Sequence, residues 1–443
     1  MLFSILRFLL RLSTKGYFRS IYVKGVEHIP DKGPIIIASN HPSAFMDPIL
    51  LSTKIDRKLF FLTRGDIFKT RFTAFLLSML NMIPVYRKVD STDREQRNDA
   101  IFQKCFEHLA KGKPILIFPE GTSKTERKLR PVKTGTARIA LGAEALHEFK
   151  LGVKVIPVGI NYANPHIFRS DVFVNFGEPI DISEFKDIYL RNDREAVTAL
   201  TERIKAEMEN LFVVVEDERL ENIVGQIEKL YRSKLRGTSD LKDKGILDFY
   251  ISKDIVMAID YHFKHHPQKL AAFHTNITAY LNGLKELHIR DTQVRASSLN
   301  IDVARSVFFF AAGLPLFCFG VCTNYLPFKL SQLISRSLRV KDSFVGSIKL
   351  SVGMFTFLLV YTVQFLGMTY WISVWWAIIV LVSFYPAGVF SLMYIRKYLE
   401  MIGTLKYLRL FMDKGDLVAK LKLTRQELID ELEEGKEEYL AQR

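Results

Sequence analysis

Apolar positions in the first part of the chain fall into short continuous runs separated by longer stretches of helical period. The runs Ile35–Ala38, Leu59–Thr63, Ile83–Tyr86, Ile115–Phe118, Val153–Ile160 and Val172–Phe176 read as strands. Helical patterns lie between several of them, near Asp66–Leu80, Asp93–Leu109 and Gly135–Glu148. Strands spaced by helices predict an α/β unit, and runs without polar alternation predict a sheet covered on both faces. Beyond Ile180 the strand pattern fades, and residues 193–290 read as charged helices with few glycines. Gly237, Thr238, Ser239 and Asp240 form a breaker, the expected joint within this helical region.

The pattern then changes again. Residues 306–328 and 351–395 carry no charge, and both runs exceed the roughly 18 apolar residues that mark a membrane segment. The second run can hold two helices of about 20 residues each. Residues 306–328 include Gly313, Pro315 and Pro327 and are expected to enter and return as a re-entrant hairpin. Residues 351–395 are expected to cross twice, turning near Gly367–Ser373 with Tyr370 and Trp371 at the far interface. This two-span arrangement keeps the basic flanks Lys329–Lys349 and Arg396–Arg409 on the cytoplasmic side, whereas three spans place them outside, against the positive-inside rule. At the other end, Leu2, Phe3, Leu6, Leu9 and Leu10 share one helical face bordered by Arg7, Arg11 and Lys15. An interfacial amphipathic helix is expected there, with no secretory cleavage site. From Asp413 the chain is an acidic helical tail with a capping box at Thr424 and Glu427, read as solvated and without chemistry. The expected organisation is therefore an interfacial helix over 1–20, an α/β domain over 21–190, a helical region over 191–300, a membrane-embedded region over 301–400 and a charged tail over 401–443.

Composition sharpens this picture. A hydrophobic share of 48% excludes a disordered chain. Three cysteines, Cys105, Cys318 and Cys322, cannot form a disulfide framework. The net charge of +14 calls for an anionic partner. Residues 51–150 alone carry +9, densest at Lys124, Arg127, Lys128, Arg130 and Lys133. A nucleic-acid binder is disfavoured by the membrane runs and by the lack of a basic patch interleaved with aromatics. His262, His265 and His266 cluster without a carboxylate pattern typical of a metal site, and no metal is expected.

Two motifs carry candidate chemistry. Asn40-His41-Pro42-Ser43-Ala44-Phe45-Met46-Asp47-Pro48 follows the first strand, so His41 falls at a strand's C-terminal end, where α/β sheets place ligand sites. A His with an Asp partner is the usual general-base arrangement. Phe118-Pro119-Glu120-Gly121-Thr122-Ser123 ends another strand. There Gly121 permits close backbone approach, Glu120 can bind hydroxyls, and the basic cluster beyond can bind phosphate. A tight turn capped by Thr122 is the plain alternative for this segment.

Taken together with Tyr86-Arg87 and Val155-Ile156-Pro157-Val158, in that chain order, these motifs resemble the phospholipid/glycerol acyltransferase family over roughly residues 20–180. That family's commonest pattern has four residues between His and Asp. The five here, the run Lys133-Thr134-Gly135 and the C-terminal membrane segments are similar to the glycerol-3-phosphate/dihydroxyacetone-phosphate acyltransferase branch. The resemblance implies an α/β fold with His41 as general base and Asp47 orienting it. It also implies Arg87, Glu120, Gly121 and Thr122 on the glycerol phosphate, and Pro157 in a block linked to substrate or acyl-chain binding. Lys133 and Arg138 are added from charge and proximity. The implied reaction moves an acyl group from acyl-CoA or acyl carrier protein directly to a hydroxyl of glycerol 3-phosphate or dihydroxyacetone phosphate. It needs no cofactor. The alternatives are acylation of 1-acylglycerol 3-phosphate and a non-catalytic lipid-binding membrane protein. The intact His41–Asp47 pair with Glu120 argues against the second.

Overall fold

In a computed structural model of the chain, the structure describes residues 2–65, 70–71, 81–85, 94–237, 243–295 and 303–442. Two compact units are distinguished. One comprises Met1–Glu216, Leu241–Lys253 and Leu338–Met354, the other Asp217–Asp240, Asp254–Ser337 and Phe355–Arg443.

The first unit is built on a sheet of β1 (Ser20–Lys24), β2 (Ile35–Ser39), β3 (Phe60–Arg64), β4 (Met82–Val85), β5 (Ile115–Ile117), β6 (Lys154–Tyr162), β7 (Asp171–Phe176) and β8 (Ile180–Asp181). Their order is β1-β7-β6-β2-β5-β3-β4, with β8 beside β6. All six strands read from the apolar runs form, shifted by a residue or two. Tyr86 and nearly all of the expected helix at 66–80 lie outside the described residues. The β1 strand escapes sequence reading because it is half-exposed and lacks a continuous apolar run.

β2 pairs in parallel with β5 on one side and β6 on the other, and all five of its residues are buried. Its alternating side chains therefore serve two cores. Ile36 and Ala38 join Cys105, Leu109, Ala137 and Leu200 on one face. These come from α3 (Arg94–Ala110), α4 (Gly135–Ala145) and, beyond the short α5 (Lys186–Arg191), α6 (Asp193–Leu211). Ile35 and Ile37 join Tyr17, Leu50 and Leu51 on the other face, from α1 (Leu2–Tyr17) and α2 (Met46–Lys54). The α1 basic residues are drawn to the end of α2: Arg11 donates to Asp56 at 2.8 Å and Arg7 to the Ser52 carbonyl at 3.2 Å. Phe8 and Leu12 point outward.

The second unit is helical. It draws on α7 (Leu220–Gly237), α8 (Lys244–His265), α9 (Pro267–Glu286), α10 (Asp291–Arg295), α11 (Val303–Ser337), α12 (Asp342–Trp371), α13 (Val374–Asp413) and α14 (Gly415–Ala441). The first residues of α8 and the first turns of α12 count with the first unit. The end of α7 at Gly237 coincides with the expected breaker, whose remaining residues lie outside the described ones. Three helices among the described residues, Arg305–Ser337, Asp342–Trp371 and Val374–Asp413, are long and apolar enough to cross a membrane. The α12–α13 turn falls where expected, with Tyr370 and Trp371 highly exposed.

Two expectations are corrected. Residues 306–328 do not form a re-entrant hairpin but lie inside one continuous helix, with Pro315 and Pro327 within it. A proline frees the carbonyl four residues earlier. For Pro327 this is the Thr323 carbonyl, and the Gln364 side-chain amide donates to it at 3.2 Å, so the helix survives its proline. The tail is not a free solvated helix. Thr424 sits in mid-helix, and Val418, Leu428 and Ile429 are buried. Arg425 donates to Asp291 at 2.8 Å, beside the Tyr280 hydroxyl.

Candidate active site

Because β2 and β5 are parallel neighbours, with Ala38 opposite Ile117, their following loops leave the sheet side by side. One loop carries His41 and the other Glu120. Asn40 locks the first loop to β6: its amide donates to the Ile160 carbonyl at 3.0 Å and accepts from the Ile160 N–H at 2.7 Å.

His41 Nδ1 lies 2.8 Å from Asp47 Oδ2. The Asp47 side chain is fully buried, whereas that of His41 is 18% exposed. Two further donors hold the carboxylate. The Ser43 N–H reaches Oδ2 and the Tyr162 hydroxyl reaches Oδ1, each at 2.8 Å. A carboxylate so placed can only accept, so Nδ1 carries the hydrogen and Nε2 keeps the lone pair. Asp47 also sits in the first turn of α2, where helix amides favour a negative charge. Burial, reinforced by the adjacent Asp47 charge, raises the Tyr162 phenol well above its ordinary value and keeps it a donor. The Phe118 ring stacks on the imidazole at 3.9 Å.

The extra residue between His41 and Asp47 is absorbed by a left-handed turn. Ala44 has φ 33°, a conformation that disfavours a side chain. The turn is clasped from α12, where buried Ser347 accepts from the Met46 N–H at 2.9 Å and donates to the Ser43 carbonyl at 3.1 Å. Gly346 makes that approach possible, since a Cβ there would stand 2.3 Å from the Pro165 carbonyl oxygen. Phe344 meets Phe45 edge-on at 5.5 Å. Ser343 lies 3.3 Å from the Ser123 hydroxyl, and Lys349 donates to the His166 carbonyl at 2.6 Å.

Glu120 is buried, and its two oxygens accept from the His41 N–H at 2.8 Å and the Arg130 N–H at 3.2 Å. Burial raises its carboxyl above the ordinary value, against the pull of those two amides. Gly121 has φ 68°. A Cβ there would stand 2.6 Å from Lys133 Nζ, so the glycine gives the ammonium its place against the turn. Thr122 accepts from Arg130 at 3.3 Å. Glu126 engages part of the basic cluster, at 2.5 Å from Lys124 and 2.8 Å from Arg130.

The structure thus brings His41, Asp47, Glu120, Gly121, Thr122 and Lys133 to one end of the sheet. Arg138 is placed elsewhere, its guanidinium 4.9 Å from the centre of the Phe102 ring. Pro157 is buried within β6 opposite Ala38. Arg87 lies outside the described residues. Sequence reading assigned no role to Asn40, Tyr162 or Ser347. Asn40 adjoins His41, a local signal, whereas Tyr162 lies two residues past the strand read as Val153–Ile160 and carried none. Ser347 lies 300 residues from Asp47, in the basic flank between the two uncharged runs, and carried no signal.

Residues 20–161 match the model of the Acyltransferase family. Over 396 residues the chain is 25% identical to glycerol-3-phosphate O-acyltransferase 1 of Saccharomyces cerevisiae, covering 70% of this chain and 51% of that protein. It thus spans about half that relative's length. A chloroplastic 1-acyl-sn-glycerol-3-phosphate acyltransferase of Arabidopsis thaliana is 29% identical over 142 residues, covering 32% of this chain and 36% of that protein. The crystal structure of a 1-acyl-sn-glycerophosphate acyltransferase from Thermotoga maritima aligns with TM-score 0.34 and 22% identity, covering 46% of this chain and 79% of that one.

Proposed function

We propose that this chain transfers a fatty acyl group from an acyl thioester, acyl-CoA or acyl carrier protein, to a hydroxyl of glycerol 3-phosphate or dihydroxyacetone phosphate. The observation that carries the reading is the His41–Asp47 pair at 2.8 Å, with its carboxylate fully buried and Nε2 left to accept a proton. His41 Nε2 takes the acceptor hydroxyl's proton as the oxygen attacks the thioester carbonyl. The C–O bond forms, the C–S bond breaks, and the imidazolium returns the proton to the departing thiolate. Asp47 fixes the tautomer and stabilises the imidazolium, and the Phe118 ring face adds a favourable surface for that charge. Glu120 holds the loop through its two backbone hydrogen bonds, and in this reading it also contacts the acceptor's hydroxyls. Lys133, Gly121 and Thr122 belong to the phosphate end, joined by Arg87 on the sequence motif. Arg138 and Pro157 act at one remove, through packing.

Ser347 is a positioning residue, holding the turn that delivers Asp47 to His41. In this reading the active site faces the cytoplasm, supported by the basic Arg339 and Lys341 in the segment 338–354, which folds with the same unit. The exposed Phe8 and Leu12 of α1 rest at the same interface.

Acylation of 1-acylglycerol 3-phosphate is the second reading. It rests on the 29% identity over 142 residues to a plant enzyme named for that acceptor, and it ranks below the first reading because a yeast glycerol-3-phosphate O-acyltransferase is 35% identical over 131 residues. An assay of the purified chain with labelled acyl-CoA and three acceptors, glycerol 3-phosphate, dihydroxyacetone phosphate and 1-acylglycerol 3-phosphate, decides between them. Acylation of either of the first two supports the first reading. Acylation of the lysolipid alone supports the second. Transfer to none of the three, with acyl carrier protein thioester also tried, overturns both.

A further inference from the structure

Outside the site just described, one group of side chains has a geometry that no role yet explains. α8 ends at His265 and α9 starts at Pro267, so His262 and His266 stand four residues apart at a helix corner. α14 packs beside this corner, where Lys269 reaches Glu438 Oε1 at 2.6 Å and Glu434 at 3.4 Å. His262 Nε2 lies 2.8 Å from the Gly435 carbonyl oxygen. A carbonyl can only accept, so Nε2 carries the hydrogen and Nδ1 of the neutral ring carries the lone pair. That Nδ1 is directed toward Glu438 Oε2 at 3.9 Å, beyond hydrogen-bond reach. Oε2 is itself buried and has no hydrogen-bond partner, an arrangement proteins avoid unless something else satisfies the oxygen. The His266 ring centre is 5.7 Å from that of His262. One ligand atom from each of His262, His266 and Glu438 lies within 4.8 Å of the others.

We propose that His262, His266 and Glu438 bind a divalent transition-metal ion of the zinc class. Two imidazole nitrogens and one carboxylate oxygen suit zinc, cobalt or nickel and disfavour magnesium and calcium, which take oxygen ligands. Metal–ligand bonds of about 2.0–2.2 Å require the three atoms to draw together, and the exposed His266 ring is the one free to rotate inward. The outer partners are in place. The Gly435 carbonyl sets the His262 tautomer, and Lys269 holds the second oxygen of Glu438, as outer partners do at metal sites. A three-residue donor set leaves one tetrahedral position for water. Such an ion clips the last helix to a corner far earlier in the chain.

The test uses the full-length purified chain, stripped with a chelator and titrated with Co²⁺ while its visible absorption is followed, then displaced with Zn²⁺. One equivalent with the intense bands of a tetrahedral site is expected. His266→Ala, which removes only an exposed ring, and Glu438→Gln should each weaken binding by about 100-fold or more, since even the outer partners of metal ligands are worth about 10–100-fold. His265→Ala, on the neighbouring histidine, should leave affinity unchanged. The proposal is overturned if the chain binds no Co²⁺, or if His266→Ala and Glu438→Gln bind it as tightly as the parent.

Discussion

Among the described residues, His41 and His262 each face a carboxylate, and the contrast between them is one of satisfaction. At His41 the carboxylate is six residues away and fully buried, and the ring, an amide and a phenol occupy its oxygens. Every partner fixes the next, which suits a base that must present one nitrogen in one tautomer. At His262 the carboxylate comes from Glu438, and the pair stands 3.9 Å apart with one oxygen unpartnered. An imidazole and a carboxylate thus form a closed device in one unit and an open donor set in the other. What separates them is whether other donors have already claimed the carboxylate.

The contrast can be broken most severely at its closed end. His41→Ala should lower acyl transfer by about 10²–10⁴-fold with membrane association intact, as measured with labelled thioester. A near-parental rate would remove the general base from the scheme. Tyr162→Phe opens the closed site partway by stripping Asp47 Oδ1 of its donor. A buried acceptor left unpaired costs about 1–3 kcal/mol, so turnover should fall about tenfold or more with little change in the thioester KM. An unchanged turnover would show that Asp47 needs no such support.

Ser347→Ala probes the clasp from α12. Turnover should fall by about tenfold, in line with the loss of one or two buried hydrogen bonds, and Ser347→Thr should restore most of it. The pH–rate profile should also shift in the alanine variant, because a loosened Asp47 no longer stabilises the His41 imidazolium equally. A loss of thermal stability with an unmoved profile would reduce Ser347 to packing.

The smallest effect concerns Glu120. Its folded carboxyl holds its proton more tightly than the unfolded one, so the folded state binds more protons and stability falls as pH rises. The fall starts near the ordinary value of 4.5 and ends above the raised folded value. Unfolding midpoints measured across this window should show the slope in the parent and its reduction in Glu120→Gln, which cannot titrate there. Equal slopes in both would assign the pH dependence to other groups.

Much of this was legible without coordinates. The strands of the sheet, the His41–Asp47 pair, the Glu120 turn and the three apolar segments are local in sequence. Strand and helix periods, a residue pair six apart and an uncharged run are all set by neighbours along the chain. Local pattern misled where a distant group could change the outcome. Pro327 suggested a broken helix, but Gln364 supplies the donor its freed Thr323 carbonyl needs. Thr424 and Glu427 suggested a helix start, yet the helix runs through them.

What the sequence determined by itself, then, was the sheet, the His41–Asp47 pairing and the resemblance of residues 20–161 to an acyltransferase domain. Each rests on periodicity or on residues a few positions apart. Only the tertiary structure decided that Ser347 clasps the turn bearing Asp47, that Tyr162 completes its carboxylate, and that Glu438 meets His262 and His266. Those contacts join residues 115 to 304 positions apart. Nothing in the sequence marks such partners, because burial and packing, not chain proximity, bring them together.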